Sequence, residues 1–477
     1  MKTLIGGFAA LVMLALPAHA EVKIEEVTSP GGITAWMVED HSIPFTALEL
    51  RFRGGTSLDA EGKRGAIYLM TATLEEGAGD LDARAYATEL ESLSASFDYD
   101  AGDDSVAISA RFLSENRDAA MDLLRETIHQ PRFDQEAVDR VRAQVLSGLA
   151  SDAKDPQSIA SDAFAAMAFG DHPYGSSAKG TIESVSALTR EDMLAAHDAV
   201  FARDRVYVAA VGDITPEDLG TLLDDLLGDL PETGAPIPGP ATIDIPGGET
   251  VIPFDTPQSV AVFGQRGIAR EDDDFFAAYV MNQILGSGGF ESRLMTEVRE
   301  KRGLTYGVYS YLNPKDLGAT YMGGVSSSND RVREAMEVIR AEWQRMADEG
   351  VTQEELDAAK TYLTGAYPLR FDGNARIASI MVWMQMQGLP TDYITTRNDK
   401  VEAVTQADIQ RVAKRLLDPE HLHFVIVGQP TDAGDGGTPG DAPAPAASGN
   451  GAGAAPAPMP APADMPDTGD APAGATD

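Results

Sequence analysis

The stretch ESRLMTEVREKRGLTYGVYSY, from Glu291 to Tyr311, decides the fold that we expect for this chain. Its first part is typical of a charged helix that turns Leu294 and Val298 inward, and Gly303 stands where a left-handed residue commonly ends a helix. The residues that follow alternate as they do in a strand, which we expect to begin at Leu304. The stretch therefore predicts a helix, a glycine stop and a strand in direct succession.

Two side chains in this stretch are candidates for chemistry. Arg299 lies near the predicted helix end and Tyr306 near the predicted strand start, so the cation and the phenol could converge on one point. The alternative interpretation is that Arg299 is one of several solvated cations favoured by the helix dipole, and that Tyr306 is a core aromatic. Both interpretations stay open on composition alone.

The surroundings of this stretch repeat an earlier part of the chain. A strand followed by two helix starts occurs in residues 105–138 and again in residues 318–356. Met121 and Met336 are equivalent in the two copies, as are Gln135 and Gln353. Such self-similarity indicates two copies of one domain. We predict an α+β fold with two homologous domains, each a mainly antiparallel sheet covered by helices.

Composition sets the predicted domain bounds. Residues 1–20 are typical of a secretory signal peptide, with Lys2, an apolar run and Ala18-His19-Ala20 as the cleavage site. Prolines and glycines make residues 231–248 a stiff linker, which leaves residues 21–230 and 249–430 as the two domains. Residues 431–477 consist mostly of Ala, Pro, Gly and Asp and predict a disordered tail.

Charge and cysteine content exclude several kinds of function. The formal net charge of -38 opposes binding to nucleic acid or to an anionic membrane. It is compatible with cationic peptides as ligands, although solubility or salt tolerance explains it as well. The chain has no cysteine, so disulfides and thiolate metal sites are excluded. The apolar run of the signal is too short to span a bilayer, and we expect a periplasmic or secreted protein of a Gram-negative bacterium.

Five segments, taken in this order, resemble the pitrilysin/insulinase family of zinc peptidases in its two-domain, processing-peptidase-like form. The resemblance runs from about Val22 to Pro430 and implies a chain that forms half of a clamshell. The segments are GGTSLDAEGKRGAIYLM from Gly54, FDQEAVDRVRAQVL from Phe133, HPYG from His172, VGDI from Val211 and LGSGGFESRLMTEVREKRGLTYGVYSY from Leu285.

The chain departs from this family at the metal site. Active members bind zinc through His-x-x-Glu-His on a helix of the first domain, with a further Glu about 75 residues on. The motif falls on Tyr68, Thr71 and Ala72 of this chain, and the distal Glu falls near Ser147 and Gly148. None of these side chains supplies an imidazole ligand, an anionic ligand or a general base. The resemblance therefore implies that this chain binds no metal and no other cofactor.

The family's second-domain pair is retained. In family members an Arg and a Tyr, at the positions of Arg299 and Tyr306, bind the substrate carbonyl and the developing oxyanion. In some family systems one chain holds the zinc motif and its partner holds the pair. The resemblance thus implies a non-catalytic subunit of a heterodimeric zinc metallopeptidase that acts on peptides. The implied partner is a homologous chain that carries His-x-x-Glu-His and the zinc.

Two other interpretations stay open. The chain could be a purely structural or peptide-binding homologue with no part in catalysis, or an enzyme that works through an unrecognised site. For the latter, His421 and His423 form the close histidine pair of the mature chain, but ordinary packing explains them equally well. The glycine-rich residues 286–289 lack the following Lys and Ser/Thr of a phosphate loop.

Overall fold

The computed structural model describes residues 23–431. The predicted signal peptide, residues 1–20, and residues 432–477 of the predicted tail lie outside this range. Helices and largely antiparallel sheets alternate through residues 23–431, which confirms the predicted α+β fold. None of the helices within these residues has the length and apolar character that a membrane crossing requires.

Within residues 23–230 the structure has eight strands and eight α-helices. The strands are β1 (Glu25–Thr28), β2 (Thr34–Glu39), β3 (Phe45–Arg53), β4 (Gly77–Ala78), β5 (Leu81–Asp82), β6 (Ser96–Ala101), β7 (Ser105–Leu113) and β8 (Val206–Gly212). The helices are α1 (Ala66–Thr71), α2 (Ala83–Ser92), α3 (Arg117–His129), α4 (Gln135–Asp152), α5 (Pro156–Phe169), α6 (Ile182–Ala187), α7 (Arg190–Val200) and α8 (Pro216–Leu227).

The second half follows an extended connection. Its strands are β9 (Gly248–Pro253), β10 (Gln258–Arg266), β11 (Val308–Lys315), β12 (Gly318–Ser328) and β13 (His423–Gly428). Its α-helices are α9 (Phe275–Asn282), α10 (Val332–Glu349), α11 (Gln353–Ala366), α12 (Asn374–Met386), α13 (Tyr393–Ala403) and α14 (Gln406–Leu416).

The two large sheets have the same topology. The first has the strand order β1-β2-β8-β3-β7-β6, and the second has the order β9-β13-β10-β12-β11. In each sheet one neighbouring pair is parallel, β2 with β8 and β13 with β9, and the other pairs are antiparallel. Apart from β1, every strand of one sheet thus has a counterpart in the other, which confirms the predicted repeat.

Helices α5 and α12 are exchanged between the halves. Helix α5 of the first half packs on β10 and β13 of the second sheet, and α12 of the second half packs on β8 and β3 of the first. Each helix is predominantly apolar, as packing of a helix into a core requires. Phe164 on α5 and Met381 on α12 are 1% and 0% exposed. The two halves are therefore joined through shared hydrophobic cores rather than by the linker alone.

Two hairpin turns add a polar contact to this junction. Lys315 Nζ, at the β11–β12 turn, lies 2.5 Å from Asp103 Oδ2, at the β6–β7 turn. Beside this pair, the hydroxyl of Tyr174 donates to Asp104 and accepts from the backbone N–H of Leu317 at 3.0 Å. Equivalent turns of the two sheets thus meet each other.

Glu49 lies on the face of the first sheet that α12 covers. It is only 4% exposed, and its Oε2 has no hydrogen-bond partner within residues 23–431. Burial raises the pKa of Glu49 to about 7, against the weaker opposing effect of Arg51. The folded chain therefore keeps a proton on Glu49 at a pH at which the unfolded chain has released it.

We expect the Glu49→Gln variant to be more stable than the parent above neutral pH. Because the folded-state pKa lies above the ordinary value of 4.5, the parent loses stability as pH rises from about 4.5 through about 7. The loss reaches up to about 3 kcal/mol, and the glutamine removes it. Urea unfolding at about pH 5 and about pH 8 measures this loss of unfolding free energy. The surface change Glu61→Gln is the control. If the unfolding free energies of the parent and of Glu49→Gln depend on pH in the same way, the prediction is contradicted.

Candidate functional site

The candidate site begins in a widened helical turn. Residues Met295–Glu300 form a π-helical segment, in which the N–H of Lys301 donates to the carbonyl of Thr296 at 3.0 Å. Leu294 and Val298 are fully buried in the second core, as the sequence predicts. Such single wide turns within helices are frequent at functional sites.

Gly303 ends this helix in the left-handed conformation, with φ of +60°, as predicted. Its N–H donates to the carbonyl of Arg299 at 2.7 Å, and the next N–H, of Leu304, donates to Val298 at 2.9 Å. From the loop between β12 and α10, Arg331 donates to the carbonyls of Gly303 at 3.0 Å and of Arg302 at 2.9 Å. The carbonyl groups at the helix end are thus satisfied, and the end is held in place.

The predicted strand start is wrong by four residues, because β11 begins at Val308 and not at Leu304. Thr305 explains the difference. Its hydroxyl accepts from the N–H of Gly307 at 3.0 Å and lies 2.6 Å from the carbonyl of Ser326, which it can donate to. This bonding holds residues 304–307 in a turn. Leu304 and Val308 are buried at the two ends of the turn, while Tyr306 projects from it and is 84% exposed.

Arg299 is the cation at this helix end that lacks a carboxylate. Its guanidinium lies 4.6 Å from the centre of the Phe290 ring, and no ion pair of its own is found within residues 23–431. Its neighbours are neutralised, because Glu297 accepts from Lys301 at 2.8 Å and from Arg302 at 2.7 Å. Burial raises the pKa of Glu297, but these two hydrogen bonds outweigh burial and hold the pKa below its ordinary value.

Phe290 and Tyr306 are exposed aromatic side chains, and the Phe290 ring lies beside this cation. Phe290, at the end of the glycine-rich segment 286–289, is 64% exposed. No hydrogen bond or cation–π contact joins Arg299 to Tyr306 in the part of the chain that the structure describes. The arrangement offers a guanidinium and a phenol to a ligand, and both are donors suited to a carbonyl oxygen or an anion.

The positions of the family's zinc motif hold no ligand. Tyr68 and Thr71 lie on α1 and Ala72 follows it, with Thr71 only 2% exposed and its hydroxyl unpartnered within residues 23–431. Ser147 and Gly148 lie on α4, which packs against α1. The two helices contact each other, but the side chains at these positions do not fit a metal ion.

The histidines do not assemble into another metal site. His423 is buried in β13, where Nδ1 lies 2.6 Å from the carbonyl of Gly247 and Nε2 lies 3.0 Å from the hydroxyl of Thr250. His421 precedes the strand and pairs with Asp418 at 2.7 Å, so the two rings have separate partners. Across residues 23–431, no group of three or more His, Asp or Glu side chains is arranged to hold a metal ion.

Three contributors to the site were not predicted from the sequence. They are the ring of Phe290 beside Arg299, the wide turn at Met295–Glu300 and the support from Arg331. The sequence contained a signal for the exposed ring of Phe290, because a phenylalanine that directly follows a glycine-rich segment is seldom buried. Arg331 gave no such signal, because its contact with Gly303 joins residues far apart in the sequence.

Comparison with known proteins places this geometry in one family. Residues 35–182 match the domain described as Insulinase (Peptidase family M16), and residues 187–363 match the domain described as Peptidase M16 inactive domain. The chain is 28% identical to the Non-peptidase homolog YmxG of Helicobacter pylori over 82% of this chain and 90% of that protein. It is 30% identical to an uncharacterized zinc protease of Mycobacterium leprae over 66% and 72% of the two chains.

A solved structure agrees with these matches. It is the crystal structure of the peptidase M16 inactive domain from Pseudomonas fluorescens, at 30% sequence identity and a TM-score of 0.80. The match covers 86% of this chain and 98% of that chain.

Proposed function

The chain belongs to the insulinase family of peptidases, family M16, and from this premise we propose that it is the non-catalytic subunit of a heterodimeric zinc metallopeptidase. It is a non-peptidase homologue within that family, since Tyr68, Thr71 and Ala72 stand where the zinc motif requires two histidines and a glutamate. In this proposal Arg299 and Tyr306, the part of the family's site that remains, act on a substrate that a partner chain holds.

One observation carries this proposal. Within residues 23–431 Arg299 has no carboxylate partner, whereas Lys301 and Arg302 on the same turn both pair with Glu297. A guanidinium without a carboxylate is suited to an outside carbonyl or anionic ligand, and the turn that follows Gly303 exposes the phenol of Tyr306.

In the proposed role the two side chains act as hydrogen-bond donors. The guanidinium of Arg299 and the hydroxyl of Tyr306 donate to the carbonyl oxygen of the peptide bond, and they bind it more strongly as negative charge develops on that oxygen. The exposure of Tyr306 in the lone chain fits this role if the partner covers the site and excludes water. The metal belongs to the partner.

The proposed partner is a homologous chain that carries His-x-x-Glu-His and lacks an Arg/Tyr pair of its own. The substrate is a peptide bound in extended conformation between the two chains. We further propose that the complex works in the periplasm, as the signal-like residues 1–20 suggest. The sequence encoded beside this gene is the first place to look for the partner.

The test is peptide hydrolysis by the purified chain, alone and with that partner. We expect zinc-dependent hydrolysis only when both chains are present. Appreciable zinc-dependent hydrolysis by the lone chain contradicts the proposal, provided that mass spectrometry excludes a co-purified peptidase.

A second function is favoured by one observation, namely that Arg299 and Tyr306 make no contact with each other. A purely structural or peptide-binding subunit needs no convergent pair. It predicts that removing either side chain leaves the hydrolysis rate of the complex unchanged, and this outcome separates the two functions.

Zinc content provides an independent prediction. We expect the full chain to retain well under about 0.1 zinc ion per molecule after dialysis against a mild chelator, because tight zinc sites use three or four His, Cys or carboxylate ligands in tetrahedral geometry. Elemental analysis by mass spectrometry measures this, with the zinc-bearing partner as positive control. A near-stoichiometric zinc content contradicts the prediction and points to a site outside residues 68–72.

A further inference from the structure

Arg270 is a buried cation without a carboxylate. It lies in the connection between β10 and α9 and is 7% exposed. One of its amino groups donates to the hydroxyl of Tyr393 at 2.7 Å, and its Nε has no hydrogen-bond partner within residues 23–431. No ion pair of Arg270 is found among these residues either. Because a buried charge without a counter-ion is costly, such a guanidinium is a candidate to bind an anion from outside.

Aromatic rings surround this guanidinium. Its central carbon lies 4.3 Å from the centre of the Phe275 ring, 5.4 Å from that of Phe276 and 5.6 Å from that of Tyr393. The ring of Trp383, on the exchanged helix α12, lies 5.8 Å away. Cation–π contacts attract and orient a cation, but they do not neutralise it. The rings therefore hold Arg270 in place and leave its charge without a counter-ion.

A second buried arginine of the same half shows the contrast. Arg397 on α13 is 1% exposed and also lies against tyrosine rings. Its guanidinium donates to the carbonyl of Leu363 at 2.9 Å, to the side-chain oxygen of Asn398 at 3.0 Å and to the hydroxyl of Tyr279 at 3.0 Å. Several protein oxygens thus serve Arg397, whereas one hydroxyl is the acceptor that Arg270 has within residues 23–431.

Arg270 lines a cavity of about 560 Å³ beside α9, α13 and α14. Lys400 on α13 lines it as well, and its ammonium nitrogen lies 5.7 Å from the centre of the Phe276 ring and 5.4 Å from that of Tyr393. In the described part of the chain Lys400 has no ion pair. Two cations without carboxylates thus share two aromatic rings. Phe276 and Leu389 add apolar surface to the cavity.

The cavity is also lined by five carboxylates, those of Glu271, Asp272, Asp273, Asp274 and Asp408. Arg411 pairs with Asp274 at 2.6 Å and with Asp408 at 2.7 Å, and Arg415 pairs with Asp272 at 2.9 Å. Glu271 and Asp273 have no ion pair within residues 23–431, but both are exposed, so water and salt screen their charges. The charge of the buried Arg270 is screened much less, and an anion in contact with it is therefore still attracted.

We propose that this cavity binds an organic carboxylate, with Arg270 and Lys400 as its cationic partners. A guanidinium and a carboxylate form charge-assisted hydrogen bonds, which are stronger than neutral ones. The aromatic and apolar lining favours a carboxylate attached to a hydrocarbon or aromatic body over a small inorganic anion. Two sources present this chemistry, namely a free carboxylic acid and the carboxy-terminal end of a peptide. The proposal involves neither Arg299 nor Tyr306, so it stands independently of the proposed function.

Saturation-transfer NMR on the full chain, with 3-phenylpropionate as the probe, tests this proposal. We expect saturable binding with a Kd on the order of 1 mM or below. The uncharged analogue 3-phenylpropionamide keeps the ring but loses the charge-assisted hydrogen bond, so it should bind at least about tenfold more weakly.

A second pair of probes distinguishes the two sources of the carboxylate. N-acetylalanylphenylalanine carries the carboxylate at a peptide end, and its carboxy-terminal amide is the matched control. Tighter binding of this peptide than of 3-phenylpropionate assigns the site to peptide ends. The reverse order assigns it to free carboxylic acids.

Two variants and one control show which side chains bind the probe. Arg270→Met, which puts an apolar side chain among the rings, should weaken binding of 3-phenylpropionate at least about tenfold. Lys400→Ala, at an exposed position, should weaken it about threefold or more and leave the fold unchanged. Lys414→Ala removes an exposed lysine of α14 that does not line the cavity, and it should have no effect.

Three outcomes overturn the proposal. They are no binding of either carboxylate probe, equal binding of the carboxylates and their amides, and binding by Lys400→Ala and Arg270→Met within about twofold of the parent. Circular dichroism checks that each variant is folded. If Arg270→Met does not fold, Lys400→Ala decides, and binding by that variant within about twofold of the parent overturns the proposal.

Discussion

Replacing Arg299 with alanine is expected to lower kcat of the assembled peptidase by about 10²–10³-fold, as the loss of one oxyanion donor typically does. The guanidinium has no carboxylate partner in the described part of the chain, so its removal strands no buried charge there and should not unfold the helix end. Because the donor acts more strongly on the developing oxyanion than on the bound carbonyl, KM should change much less than kcat.

The Tyr306→Phe variant refines this measurement. It removes only the hydroxyl from a side chain that is 84% exposed, so its effect on folding should be negligible. We expect a fall in kcat of about tenfold or more and an unchanged affinity for peptide. The double variant should lose less than the product of the two single effects if both donors serve the same oxygen.

Two matched arginine variants serve as controls. Arg302→Ala removes a cation of the same helix end that is already paired with Glu297, and Arg84→Ala removes an exposed arginine of the first half. Both should keep kcat within a few-fold of the parent complex. If Arg299→Ala behaves like these controls, the chain serves the complex through structure or peptide binding alone.

Local sequence patterns predicted much of the fold and part of the site. The repeat around Met121 and Met336 corresponds to equivalent helices, α3 and α10, in two sheets of the same strand order. Gly303 ends its helix in the left-handed conformation because a residue without Cβ adopts it at little cost. To see that the histidines and the glutamate of the zinc motif are replaced, it was enough to read the residues at the motif's positions.

The sequence did not predict which layer each helix covers. Helices α5 and α12 are predominantly apolar, which indicates burial but not the partner sheet. Their exchange between halves depends on contacts between residues more than 100 positions apart, such as the bond from Gln385 to the carbonyl of Val208 at 2.8 Å. Residue alternation likewise could not reveal that the hydroxyl of Thr305 delays the start of β11.

Replacing Phe164 with alanine is expected to cost about 3–5 kcal/mol of unfolding free energy, the range for a buried phenylalanine. Phe164 lies on α5 of the first half, yet it packs in one cluster with Val262, Met322 and Val425 of the second. Its ring fills the space above Gly264, where an added Cβ would lie 2.7 Å from it. Urea unfolding followed by circular dichroism measures the loss.

The control is Phe290→Ala, which removes an equal ring at a position 64% exposed and should change stability by no more than about 0.5 kcal/mol. Because Phe164 belongs to the first half and its neighbours to the second, its loss should lower the unfolding midpoint of both halves together. If only the first half becomes less stable, the exchange of α5 does not hold the halves together. In that case the packing of α12 on the first sheet and the hairpin contacts of Lys315 and Tyr174 hold the halves together.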